Sequence, residues 1–371
     1  MKSVVGRRWA VIQVLLLGIL GGGVATAGPA VAAVTPGTVL VSVNATLPPE
    51  LAPLATGKRI QYVTTNISGA TITATGLVLT PKTGKTNRTV VWGHGTTGLA
   101  DKCAPSTSQA VFWPEARAAV AKLLGKGWTV AAPDYPGLGT ALPHPYLVGN
   151  SEGRSIIDSV KAARNLDAAL STQYAVDGHS QGGQGALFAG QLAPAYDGAL
   201  VLKGVAAIAP VSNLNLIAPD IPGTPGQGYL VMALHGINAV EPTFLPNAYL
   251  APPAQQRSGV LATGCLLEIL DRYAPLTAAE LVPNGVVARP VLAKLAQYGN
   301  PATVAPSAPI LIVQGTADEA VPSVITDVLV GQLSAYRGSS VEYLSLRGQT
   351  HDGAVFASTR TVANWIAARF T

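Results

Sequence analysis

The chain has 371 residues, 48% of them hydrophobic and only 12% charged, with a formal net charge of +5. That is ample apolar material for one large core, and the charge content is low for a soluble protein. Three of the positive charges, Lys2, Arg7 and Arg8, belong to the N-terminus, so the rest of the chain carries +2 and no Lys/Arg cluster, which argues against a nucleic-acid partner.

The basic start is followed by Trp9 to Val24, apolar or small apart from Gln13, and no charge recurs before Glu50. Ala25-Thr26-Ala27 or Ala30-Val31-Ala32 supplies a small-residue cleavage motif. This layout predicts a secretory signal over residues 1–33 and an extracellular mature protein. Gly21-Gly22-Gly23 and Pro29 argue against an uncleaved membrane anchor, and Arg7-Arg8 is an imperfect twin-arginine match. Asn44, Asn66 and Asn87 fit the glycosylation pattern, which matters only in a host that glycosylates.

After the signal, Thr38–Val43, Arg59–Thr65 and Ala70–Thr80 are rich in Val, Ile and Thr and read as an antiparallel edge. A strand over Arg88–Trp92 runs into Gly93-His94-Gly95-Thr96-Thr97-Gly98, and a helix is predicted over about Ser108–Leu124. Trp128–Ala132 is a strand ending at Asp134, and a helix over about Ser155–Leu170 carries an apolar stripe of Ile156, Val160, Ala163 and Leu166. The end of a strand at Gln173–Val176 leads through Gly178-His179-Ser180-Gln181-Gly182-Gly183 into a helix over Gly182–Leu192. Strands at Leu202–Ala209, Pro306–Gln314 and Val341–Leu346 and a closing helix over about Ala354–Phe370 complete the order. Strands alternating with helices predict an α/β fold with a mostly parallel sheet covered on both faces. Residues 211–300 break the alternation: no strand pattern is present, only Pro/Gly breaks and short helical patches such as Gly228–Ala239 and Leu276–Leu281. Ninety residues are too many for a connection and predict an inserted cap between a first core segment, 34–210, and a second, 301–371.

Strand, sharp turn at a serine, then helix is the context in which Gly-x-Ser-x-Gly makes a nucleophile elbow. Gly149-Asn150-Ser151-Glu152-Gly153 matches the same pattern, but a Pro-broken loop precedes it, so Ser151 reads as a turn or N-cap serine and Ser180 as the nucleophile. A serine needs a base and an acid that orients the base, in the chain order Ser, Asp/Glu, His for this fold. Only His235 and His351 lie downstream of Ser180. His235 falls in the proposed cap, whereas His351 follows the last strand and is the predicted base. Asp318, in the turn after the penultimate strand, is the predicted acid; Glu319 points elsewhere, and Asp134 and Asp177 are fallbacks more in keeping with structural roles. Asp352 cannot fold back onto its neighbour's ring. The oxyanion needs two donors: the N–H of Gln181, and one from Thr96 or Thr97. His94 reads as structural, His179 as packed under the elbow, and His144 has no evident partner. Cys103 and Cys265 form one disulfide or remain two buried thiols. No zinc-type spacing and no His-Glu-x-x-His occurs, so neither metal nor cofactor is expected.

Together these motifs resemble the α/β-hydrolase superfamily and, within it, the secretory lipase family of the lipase A type. The resemblance rests on residues 93–98, Asp101-Lys102-Cys103-Ala104-Pro105-Ser106, Asp134-Tyr135-Pro136-Gly137-Leu138-Gly139, His144-Pro145-Tyr146-Leu147, the elbow, Gly315-Thr316-Ala317-Asp318 and Thr350-His351, and it covers Thr38 to Thr371. The chain departs from it at His179, where the family motif often has Tyr. The resemblance implies a secreted esterase or lipase with a largely helical cap and a cysteine bridge. The expected activity is hydrolysis of lipid or other apolar esters, without cofactor or obligate protein partner, in keeping with a mean hydropathy of +0.34. Acyl transfer by the same triad, a non-catalytic lipid-binding protein on this scaffold, and a peptidase are the alternatives.

Overall fold

The computed structural model describes residues 34–371; the expected signal and both cleavage motifs lie outside the described residues. Among the described residues nine strands form a single sheet: β1 (Val39–Ala45), β2 (Ala55–Thr65), β3 (Thr71–Pro81), β4 (Thr89–Gly93), β5 (Thr129–Pro133), β6 (Gln173–His179), β7 (Val201–Ile208), β8 (Ile310–Gly315) and β9 (Val341–Leu346). Their order is β1-β2-β3-β5-β4-β6-β7-β8-β9. β1, β2, β3 and β5 pair antiparallel, as the N-terminal segments predict, and every pair from β5–β4 onward is parallel. The chain order reverses where β4 inserts between β5 and β6, and such reversals open a crevice at the carboxyl ends of the strands.

Strands in the middle of this sheet read as unbroken apolar runs because both faces are buried. Val90 and Trp92 of β4 and Leu311 and Val313 of β8 join one core, while Val91, Ile310 and Ile312 join the other. Side chains alternate across a strand with a period of two, so one run feeds two cores. The first core is closed by α1 (Pro114–Leu124) and by the C-terminal helix His351–Arg369; the second by α2 (Gly149–Leu166), α3 (Gln181–Tyr196) and the helix Ser323–Ser334.

The segment between β7 and β8 contains no strand. It folds into α4 (Leu214–Ile217), α5 (Gln227–Val240), α6 (Pro252–Gln255), α7 (Gly259–Thr263), α8 (Leu266–Tyr273), α9 (Ala278–Leu281) and α10 (Arg289–Gly299), packed around an apolar cluster that also takes in Tyr146, Leu147 and Val321 from outside the segment. The remaining helices are α11 (Ser323–Ser334) and α12 (His351–Arg369). The ties between this helical segment and the core include the Cys103–Cys265 disulfide, the Leu266 N–H donating to the Thr97 carbonyl at 2.8 Å, the Gln184 Nε2 donating to the Gly299 carbonyl at 2.6 Å, and paired side-chain hydrogen bonds between Asn213 and Gln332. Among the described residues no helix is long and apolar enough to cross a membrane.

Several element boundaries differ from the sequence reading, each for a local reason. The helix expected from Ser108 starts at Pro114, preceded by a 3-10 turn at Gln109–Val111; proline at the first helical position fixes φ and pushes Trp113 into extended backbone. β8 starts at Ile310 rather than Pro306, since Pro306 and Pro309 have no N–H for a ladder. β2 begins at Ala55, four residues early. α12 starts at His351, before its apolar pattern begins, because Thr350 caps it: the threonine side chain accepts from the Gly353 N–H at 3.2 Å. α2 starts at Gly149 rather than Ser155 and ends at Leu166. Its first turn buries Ser151 and Glu152, polar side chains that hide the turn from a search for apolar spacing.

Ser151 is therefore neither a turn residue nor an N-cap; it sits in the first turn of α2, wholly buried. The second Gly-x-Ser-x-Gly is a packing motif. α2 crosses α3 there, and a Cβ on Gly153 would lie 2.9 Å from the Ala189 nitrogen.

Candidate active site

Four loops at the carboxyl ends of β4, β6, β8 and β9 converge. The turn after β6 holds Ser180 at φ 57° and ψ −117°, a left-handed conformation that costs a side-chain-bearing residue on the order of 1–3 kcal/mol. The surroundings enforce it: the Ser180 N–H donates to the Ile208 carbonyl at 2.9 Å, and its carbonyl accepts from Val211 and Gln184 at 3.2 and 3.0 Å. Gln181 is the first residue of α3, so its N–H has no acceptor within the helix and lies next to the serine at the positive end of the helix.

Asp318 follows β8, with 8% of its surface exposed. One carboxylate oxygen accepts from the backbone N–H groups of Ala320 and Val321 at 2.9 and 2.8 Å. The other accepts from Gln314 Nε2 at 2.9 Å and pairs with His351 Nδ1 at 2.7 Å. Burial pushes its pKa up, but the hydrogen bond and charge of His351, with the Val321 and Gln314 donors, outweigh it and hold the carboxyl below its ordinary value. An ionised Asp318 fixes His351 Nδ1 as the protonated nitrogen and leaves Nε2 free.

Ser180 and His351 line one cavity of ≈ 440 Å³ together with Gly95, Thr96 and His179. Its other walls are Trp113, Pro114 and Glu115 from α1, Tyr229 from α5, Leu266, Leu267 and Leu270 from α8, and Ala320, Asp352 and Phe356. Of the two threonines, Thr96 faces this cavity, with its hydroxyl on the Tyr146 hydroxyl at 2.7 Å and its carbonyl taking the Trp113 indole N–H at 3.2 Å. Thr97 is fully buried and does not line it.

Most of the remaining sequence candidates lie elsewhere. Asp134 accepts from the Thr75 hydroxyl and the Ser106 N–H at 2.7 and 2.8 Å, which makes it a loop anchor. His94 is held by the carbonyls of Gly95 and Asp134 and stacks on Tyr135. Glu319 is exposed, and His235 is half-buried in α5 away from the cavity. His179 departs from the reading that packs it under the elbow: it is buried but lines the cavity, its ring centroid 4.5 Å from that of His351.

Sequence reasoning missed a buried cluster behind the elbow. Glu152 accepts from the Gln181 side chain at 2.8 Å and from the Leu147 N–H at 3.1 Å, and His144 faces the same Gln181 amide at 3.2 Å while bonding the Pro136 carbonyl at 2.7 Å. Burial pushes the Glu152 carboxyl up to about 8 and the His144 imidazole down to about 4, which favours the neutral form of both near pH 7. The only sequence signal was a glutamate inside a match already set aside. Glu115, at the cavity wall, is likewise raised to about 7 by burial.

Asp177, on β6 under the elbow, is raised to about 8 by burial, and its Oδ1 has no partner among the described residues. The unfolded carboxyl titrates near 3.8, so between about pH 4 and pH 8 the folded state holds a proton that the unfolded chain has lost, and stability falls as pH rises across that window. Asp177→Asn is therefore expected to gain stability over the parent by up to about 4 kcal/mol more at pH 8.5 than at pH 5, measured by urea unfolding. An equal difference at the two pH values would mean that Asp177 is ionised in the fold.

A strained serine between a parallel strand and a helix, in a sheet whose order reverses beside it, defines the class: this is an α/β hydrolase. The chain belongs to the secretory lipase family, whose profile matches residues 104–371. Curated relatives include secreted triacylglycerol lipase LIP4 of Malassezia globosa, 28% identical over 71% of this chain and 60% of its own length, and lipase 10 of Candida albicans, 26% identical over 68% and 57%. The chain thus spans somewhat under two thirds of the length of these relatives. Among solved structures, Candida antarctica lipase A in its closed state superposes with a TM-score of 0.77, at 20% identity over 91% of this chain and 83% of that one. The rice cell wall degrading esterase LipA of Xanthomonas oryzae superposes at 0.70, with 21% identity over 90% and 97%. At such identity the likeness is one of fold.

Proposed function

We propose that the protein is an exported serine carboxylic-ester hydrolase that cleaves apolar acyl esters through an acyl-enzyme. The observation that carries this reading is the placement of Ser180, on its strained turn, in one cavity with a His351 whose Nδ1 is held by Asp318. His351 Nε2 takes the serine proton as Oγ adds to the ester carbonyl. The Gln181 N–H and a donor from the Thr96 loop hold the oxyanion. Collapse of the tetrahedral intermediate breaks the bond to the alcohol, which leaves with the proton from His351. Water, activated by the same imidazole, then adds to the acyl-enzyme, and the acid departs as Ser180 recovers its proton.

The substrate class follows from the walls. Leu266, Leu267 and Leu270 of α8, with Trp113 and Phe356, offer apolar surface for an acyl chain. Residues 211–300 act as the cap over this site, and the leader within residues 1–33 directs export.

Incubation with diethyl p-nitrophenyl phosphate, followed by peptide mass spectrometry, tests the nucleophile directly. One diethylphosphoryl group is expected on the peptide holding Ser180, with loss of p-nitrophenyl ester hydrolysis in proportion to labelling. Labelling on Ser151, or full inactivation without an adduct on Ser180, would overturn the reading.

A further inference from the structure

His179 has no role in the reaction described above, and its environment is unusual. Its side chain is 3% exposed, neither ring nitrogen makes a hydrogen bond of good geometry among the described residues, and the ring forms part of the cavity wall beside His351. A buried imidazole without partners is costly. Its Nε2 stands 4.0 Å from Asp352 Oδ1. His179, His351 and Asp352 each present one ligand atom, all within 4.8 Å of one another.

We propose that these three residues form a site for a divalent transition cation of the zinc type, bound at the mouth of the candidate active site. Two imidazole nitrogens and one carboxylate oxygen suit such an ion and leave a fourth, cavity-facing position for water. Tetrahedral coordination at Zn–N and Zn–O distances near 2.1 Å sets ligand atoms about 3.4 Å apart, so the trio must close by about 1 Å. Asp352 can supply that movement, being 62% exposed at its side chain and in the first turn of α12. His351 is already oriented as a ligand. Its Nδ1 is held by Asp318, the carboxylate–histidine arrangement that stands behind many metal-bound imidazoles, and Nε2 is the nitrogen left to the ion. The ligands come from the ends of β6 and β9, 172 positions apart in the chain, so no sequence spacing reveals them.

Binding there occupies the nitrogen that the proposed mechanism uses as its base, so the cation inhibits ester hydrolysis. The inhibition rests on that functional reading; the binding does not. Zinc chloride titrated into the whole protein by calorimetry in a non-chelating buffer near pH 7 is expected to show one equivalent bound with micromolar affinity. His179→Phe and Asp352→Asn should each weaken binding by at least about 100-fold, the upper end of what losing an outer-sphere partner alone costs. Ser180→Ala keeps all three ligands and should bind like the parent. Zinc inhibition of ester hydrolysis, expressed against each protein's own metal-free rate, should shift in parallel with binding.

Unchanged melting curves for His179→Phe and Asp352→Asn without zinc would exclude misfolding as the cause. Absence of binding heat with the parent, or equal affinity in both variants, would overturn the site. Binding that requires His179 and Asp352 and is equally weakened by His351→Phe, but leaves hydrolysis by the parent untouched, would support the site and instead overturn His351 as the base; binding indifferent to His351→Phe would overturn the three-residue site.

Discussion

Ser180→Ala is expected to lower kcat for p-nitrophenyl esters by at least about 10³-fold while the protein unfolds at an unchanged denaturant midpoint. The loss follows from chemistry alone: the acyl-enzyme cannot form without Oγ, and what remains is water attack assisted by the oxyanion donors. The stability should not fall, because Ser180 holds its strained turn through backbone hydrogen bonds to Ile208, Val211 and Gln184, all of which alanine keeps. A panel of esters from acetate to palmitate, run with both proteins, checks the prediction and reads the acyl preference at once. Folded Ser180→Ala protein with parental turnover would remove the serine from the mechanism.

Gly182→Ala is expected to abolish the folded elbow. A Cβ at that position would lie 2.1 Å from the Gly93 carbonyl oxygen and 2.7 Å from that of His94. Neither contact is a flexible side-chain tip; both are backbone at the end of β4, in the middle of the sheet. Relief requires α3 to part from β4, and overpacking against rigid partners costs about 3 kcal/mol or more. Little soluble protein, or a large drop in the urea midpoint with activity lost, is the expected outcome. Gly198→Ala, with nothing within 4 Å of its added Cβ, serves as the neutral comparison. Parental stability in Gly182→Ala would mean that helix and strand are not in contact there.

The parts of the site legible in the sequence are those that hang directly on strand ends. Ser180 follows β6 by one residue, Asp318 follows β8 by three, and His351 follows β9 by five. An apolar run fixes each strand, and a polar residue just beyond its carboxyl end has few places to go. The sheet was legible for the same reason, down to its antiparallel edge. What stayed hidden depends on elements meeting that no local pattern relates. Trp113, Tyr229, Leu266 and Phe356 reach the cavity from four separate segments. Glu152 sits on a helix face where apolar residues are expected, and its partner Gln181 is in another element. His179 is buried, as a residue packed under the elbow should be, but it also lines the cavity, and its position in the motif says nothing about that rotamer.

The bridge between Cys103 and Cys265 joins the residue just before α8 to the loop region that carries Thr96, and the Leu266 N–H clasps the Thr97 carbonyl beside it. In the proposed enzyme this makes the leucine wall of the acyl pocket and the oxyanion loop a single calibrated part. On that proposal, substitutions at 266, 267 and 270 would act on acyl-chain preference from a wall pinned to the oxyanion loop, like a gauge block clamped to its base plate.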